Sequence, residues 1–105
     1  MLRSMVVTPD GQFIFAANRD HSLLQFGLKF GEVMREFENV HCRYVLISSP
    51  CSNFLFISGK DRALHKWSIK HQKVMKTFTD VHEDIIACAK ISPDGKIMYT
   101  SSNRY

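Results

Sequence analysis

No apolar run in this 105-residue chain approaches the roughly 18 residues that a membrane-spanning helix needs. The opening stretch, Met1-Leu2-Arg3-Ser4-Met5-Val6-Val7, has no signal-peptide hydrophobic core. Cysteine is scarce: Cys42, Cys51 and Cys88 are an odd set with no CxxC pair. That argues against a disulfide framework or a cysteine-built zinc site and suits a reducing compartment. A cytoplasmic location is expected, with the nucleus as the alternative. No two His or Cys residues stand at metal-ligand spacing, and no glycine-rich phosphate loop is present, so neither metal nor cofactor is implied. Charge blocks are missing too. The net charge of +4 is spread along the chain, and its densest part, Lys60 to Lys76, reads as a solvated outer face. A nucleic-acid footprint would gather on one stripe, so no nucleic-acid partner is expected. Helical periodicity is absent at any useful length. What is plentiful is aromatic: eight Phe, three Tyr and one Trp, a load that favours strands.

The chain repeats itself. Shifted by 41 residues, residues 1–41 fall on 42–82 with 11 identities, among them Pro9/Pro50, Phe15/Phe56, Asp20/Asp61, Met34/Met75 and His41/His82. Chance would give roughly two or three. A third copy, residues 83–105, aligns Pro93-Asp94-Gly95 with Pro9-Asp10-Gly11 after a two-residue insertion. Within each unit, strand-like runs alternate with turn signals. In the first unit these runs are Met5–Thr8, Gln12–Ala17, Leu23–Leu28 and Glu32–Phe37; in the second, Tyr44–Ser48, Phe54–Ser58, Leu64–Ile69 and Val74–Phe78; in the third, Ile85–Ile91 and Lys96–Ser101. The second run is almost continuously apolar, as a sheet packed on both faces requires. The fourth alternates, as a partly solvated edge does. Four short strands per unit are the makeup of one propeller blade. The expected fold class is all-β, a partial β-propeller of about two and a half four-stranded antiparallel blades.

Two stretches carry a family resemblance. Ser58-Gly59-Lys60-Asp61-Arg62-Ala63-Leu64-His65-Lys66-Trp67-Ser68 looks like an SG-x-D…WD motif, and Val81-His82 with Ile91-Ser92-Pro93-Asp94-Gly95-Lys96 looks like a GH…FSPDGK motif. In these the chain resembles the WD-repeat (WD40-type) propeller family, with departures. Val-His stands for Gly-His and Trp67-Ser68 for Trp-Asp. The resemblance implies a structural hydrogen-bonded set of His41, Ser58, Asp61 and Trp67, and a scaffold that binds other proteins on one rim. The implied rim residues are Arg19, His21, Cys42, Arg43, Lys60, Arg62 and Glu83. Most are basic, which points to an acidic or phosphorylated partner segment. Because a propeller needs four to eight blades to close, the missing blades are expected from a longer parent chain, of which this is a fragment, or from self-association.

His41, Ser58 and Asp61 also have the residue types of a catalytic triad. They lie inside a repeating framework without a nucleophile elbow, so they read as structural and no catalytic residue is assigned. One enzymatic alternative remains. Pro9-Asp10-Gly11-Gln12-Phe13-Ile14-Phe15-Ala16-Ala17-Asn18 is similar to repeats of lactonase-like propellers, which hydrolyse or oxidise small molecules near a central channel. Asn18, Asp20 and Asp61 are the side chains such a site would draw on.

Overall fold

The computed structural model describes residues 2–18, 20–38, 40, 42, 45–59, 63–79 and 86–102. These form three antiparallel sheets and, among the described residues, no helix. The first sheet runs β1 (Leu2–Val7), β2 (Phe13–Asn18), β3 (Ser22–Gly27) and β4 (Val33–Glu38), each strand paired to the next. The second repeats this order with β5 (Val45–Ser48), β6 (Phe54–Ser58), β7 (Leu64–Ser68) and β8 (Lys73–Phe78). The third pairs β9 (Ile86–Ile91) with β10 (Met98–Ser102). The sheets approach one another through their first strands, β1 against β5 and β5 against β9. They therefore stack face to face, as propeller blades do.

Period-2 alternation explains the stacking. On β6, Leu55 and Ile57 point to one face and join Phe15, Leu23 and Trp67 in the core between the first two sheets. Phe56 points to the other and joins Val45, Leu64, Ile86 and Ala89 in the core between the second and third. A strand sandwiched in this way must be apolar on both sides, and β6 is. By contrast β4 and β8 are exposed along almost their whole length, as the alternating fourth runs imply.

The repeat persists in the irregularities. Both outer strand pairs slip register at the same place, between Gln25 and Phe26 and between Lys66 and Trp67. Met34 and Met75 are the extra residues of the two bulges. The turns after the first strands share one hydrogen-bond pattern. Thr8, Ser49 and Ser92 each receive Phe13, Phe54 or Ile97 N–H on the side-chain hydroxyl. Their own amides donate back to the carbonyl of the same residue, at 2.9, 2.9 and 2.8 Å. The third residue on from each adopts positive φ: Gly11 at 73°, Ser52 at 64° and Gly95 at 75°. Glycine takes that conformation without a Cβ clash; Ser52 does so at a cost.

Candidate interaction rim

In each four-stranded sheet the turn after the second strand and the exit of the fourth strand lie at the same end. The backbone joins them directly: the Val40 amide donates to the His21 carbonyl at 2.9 Å. His21 is exposed and sits at φ 66°, so its backbone faces the chain leaving β4. The turn itself is held by Asp20, whose carboxylate accepts from the Ser22 hydroxyl at 2.6 Å and the Ser22 amide at 3.2 Å. Asn18 Nδ2 donates to the same hydroxyl at 3.0 Å. These bonds, the hydroxyl first, hold the Asp20 carboxyl below its ordinary range. Sequence reasoning missed Ser22 as the partner of Asp20. The signal was there, since Asx-x-Ser/Thr is a common local turn pairing.

The rim residues do not share one environment. His21 is exposed at the turn. Cys42 is not available to a partner: it is 5% exposed, packed in the core between the first two sheets, with its thiol donating to the Val45 carbonyl at 3.1 Å. Its position just before an inner strand turns a small apolar side chain inward. Arg19, Arg43, Lys60, Arg62 and Glu83 lie outside the described residues, as do His41 and Asp61 of the hydrogen-bonded set.

Ser58 and Trp67 are described, and the structure does not bring them together. Ser58 pairs with Leu64 and Trp67 with Leu55, so the two side chains leave the sheet on opposite faces. Ser58 is fully buried and donates to the Ile86 carbonyl of the third sheet at 2.9 Å. Its proton is therefore committed across the sheet gap, leaving lone pairs for any further bond. Trp67 faces the first sheet, edge-on to Phe37 at 4.9 Å and to Phe15 at 6.3 Å between centroids. Alternation accounts for this: Ser58 shares the face of Phe56 and Leu64, and Trp67 that of Leu55 and Ile57. His65 lies within β7 and bonds Thr77 Oγ1 through Nδ1 at 2.9 Å. Among the described residues, no three His, Cys, Asp or Glu side chains stand together as a metal would require. Asn18 and Asp20, two of the side chains a lactonase-like site would draw on, are spent on their own turn.

Residues 72–105 match the family model described as WD domain, G-beta repeat. This segment, about a third of the chain, is similar to a WD40 repeat. The matched segment runs from β8 through β10, so the repeat spans the outer strand of one sheet and the inner strands of the next. That stagger ties neighbouring sheets together covalently. No protein of curated function matches the chain in sequence. In fold it is similar to the structure titled RRP9 WD40 repeats, with TM-score 0.80 and 20% identity over 94% of this chain and 32% of that one. It is similar to U3-55K, at 0.78 and 18% over 94% and 32%. It is also similar to hydrazine synthase from Kuenenia stuttgartiensis, at 0.75 and 23% over 93% and 28%. The chain thus spans less than a third of each of these proteins. At such identities the likeness is one of fold: an all-β stack of WD40 propeller type. Among the described residues no helix is long and apolar enough to cross a membrane.

Proposed function

We propose that the chain is a protein-binding segment of a WD40 propeller, made of units 1–41, 42–82 and 83–105, and that it holds an acidic or phosphorylated segment of a partner. The observation that carries this reading is the Val40-to-His21 bond, which supports one rim made of the β2–β3 turn and the exit of β4. Arg19 lies in the connection between β2 and β3, and Lys60 and Arg62 in the corresponding connection between β6 and β7. Equivalent connections of stacked sheets come out at one end, and on this reading the three cations serve a single rim. Guanidinium and ammonium groups there suit carboxylate or phosphate through charge-assisted hydrogen bonds. Cys42 is excluded from this surface by its burial. The cytoplasm or nucleus, where phosphorylated partner segments occur, fits the odd set of three cysteines without a CxxC pair.

The test is capture with the chain as bait. Reversing Arg19→Glu, Lys60→Glu and Arg62→Glu together is expected to remove the captured partner, and the wild-type interaction is expected to weaken as salt rises. An unchanged set of captured proteins overturns the reading.

A further inference from the structure

The β3–β4 and β7–β8 hairpins share one turn and differ in what it carries. The Gly31 amide donates to the Gly27 carbonyl at 2.8 Å, and the Gln72 amide to the Ser68 carbonyl at 2.8 Å. Gly31 and Gln72 sit at φ 69° and 58°. On this common backbone Gly27, Phe30 and Glu32 stand where the second unit has Ser68, His71 and Lys73. The exchange reverses the charge. Residues 28–38 carry two cations and three carboxylates, residues 69–79 three lysines and no carboxylate.

It also opens a hollow. A cavity of about 490 Å³ lies at the first turn, lined by Phe13, Gly27, Leu28, Phe30, Glu32 and Met34 among others. That is within the size range of small-ligand sites. Gly27 makes the room: a β-carbon there would meet Glu32 Oε1 at 2.7 Å and Met34 Sδ at 3.2 Å. In the second unit Ser68 fills that place, 2% exposed, its hydroxyl accepting from the His71 amide at 3.0 Å. Phe13 and Gly27 are cross-strand partners on the side of the first sheet that turns to the second, so the neighbouring sheet is in place beside the hollow.

Three features suit a cation on an alkyl stem. The Glu32 carboxylate lies over the glycine floor, and among the described residues no hydrogen bond or ion pair takes it up. Phe30 is 77% exposed and has a cation on its ring, Lys29 Nζ at 5.3 Å from the centroid. Leu28 and Met34 are partly exposed and offer apolar surface to methylenes. We propose that this hollow binds an arginine side chain of a partner protein. The guanidinium takes the Phe30 face in place of Lys29 and pairs with the Glu32 carboxylate. Ser68, His71 and Lys73 exclude the same cation from the second unit. The site lies at the end of the sheet away from the β2–β3 connection, apart from the charged rim.

NMR on the chain labelled at its methionine methyls tests this, with Met75, at the matching place in the second unit, as internal control. The probe is an acetylated and amidated Gly-Ser-Arg-Ser-Gly peptide. The Met34 resonance is expected to shift saturably and that of Met75 to stay. The same peptide with glutamate for arginine is expected to shift neither. Glu32→Gln and Phe30→Ala should each weaken binding about two- to fivefold, the scale of exposed charge and cation–π contacts. Lys29→Ala removes the competing cation and should strengthen it by a similar factor. Gly27→Ser closes the hollow and is expected to abolish the Met34 shift. Should that variant lose its strand circular-dichroism signal, Glu32→Lys, at an exposed position, decides by the same loss. No saturable shift, equal shifts at Met34 and Met75, an equal response to the glutamate peptide, or indifference to Glu32→Gln and Glu32→Lys overturns the proposal. Joint reversal of Arg19, Lys60 and Arg62 is expected to leave the Met34 shift intact, so this site and the rim fail separately.

Discussion

At the scale of single residues, the turns after the first strands show what a repeat keeps and what it lets drift. In the first and third units a carboxylate caps the turn. Asp10 accepts from Thr8 Oγ1 at 2.6 Å and from the Gln12 amide at 3.1 Å; Asp94 accepts from Ser92 Oγ at 2.5 Å and from the Lys96 amide at 3.0 Å. The second unit has Cys51 at that place, its sulfur 3.2 Å from the Ser49 hydroxyl. That contact, followed by weaker ones from Asn53, holds the Cys51 thiol below its ordinary value. The hydroxyl bonds, then the amide bonds, likewise hold Asp10 and Asp94 below the ordinary 3.8. A carboxyl depressed in the folded state stabilises it above the unfolded value, and that contribution is lost as pH falls through the folded value. Stability is therefore expected to drop below about pH 4, and Asp10→Asn with Asp94→Asn to flatten the drop in a pH series of thermal melts. Cys51→Asp should install the missing acceptor and raise the midpoint at pH 7 by about 2–5 °C. A gain that survives at pH 2 would show that the carboxylate is not its source.

Elements are where sequence and structure agree most closely, and where one residue decides most. The ten strands match the ten runs read from apolar pattern and turn signals, because period-2 alternation and Pro/Gly turns are local properties. The two solvated outer strands were legible for the same reason. The His41–Ser58–Asp61–Trp67 set was less so, since which face Ser58 takes depends on a register that a single inserted or missing residue reverses. Cys42 was misplaced because burial at a strand entrance is a tertiary fact that no local pattern encodes. Trp67 was named for a hydrogen bond; its visible work is packing between Phe15 and Phe37. Trp67→Ala should accordingly cost about 3–5 kcal/mol in denaturant unfolding, a large share of what a small domain has. Trp67→Phe should cost about 1 kcal/mol, since Phe26 fills the equivalent place in the first unit. Equal losses for the two would mean that the indole N–H, and not ring volume, matters there.

For the whole molecule, stability should follow position in the stack. The second sheet has a core on each face, so β6 can open only if both cores come apart. The outer strands β4 and β8 carry mostly exposed side chains, with Val33, Met34, Val74 and Met75 about half exposed. On the uncovered part of the second sheet, lysine side chains do part of the covering: Lys66 lies 4.1 Å from the Phe54 ring centre and Lys76 4.9 Å from that of Phe78. Such contacts stabilise by roughly 0.5–1 kcal/mol at exposed sites, less than a packed sheet face. Amide hydrogen exchange should rank the strands the same way. Residues 55–57 are expected to exchange slowest, near the global unfolding limit, and the outward-facing amides of β4 and β8 fastest. If β8 were instead as protected as β6, something would have to cover the outer edge of the second sheet.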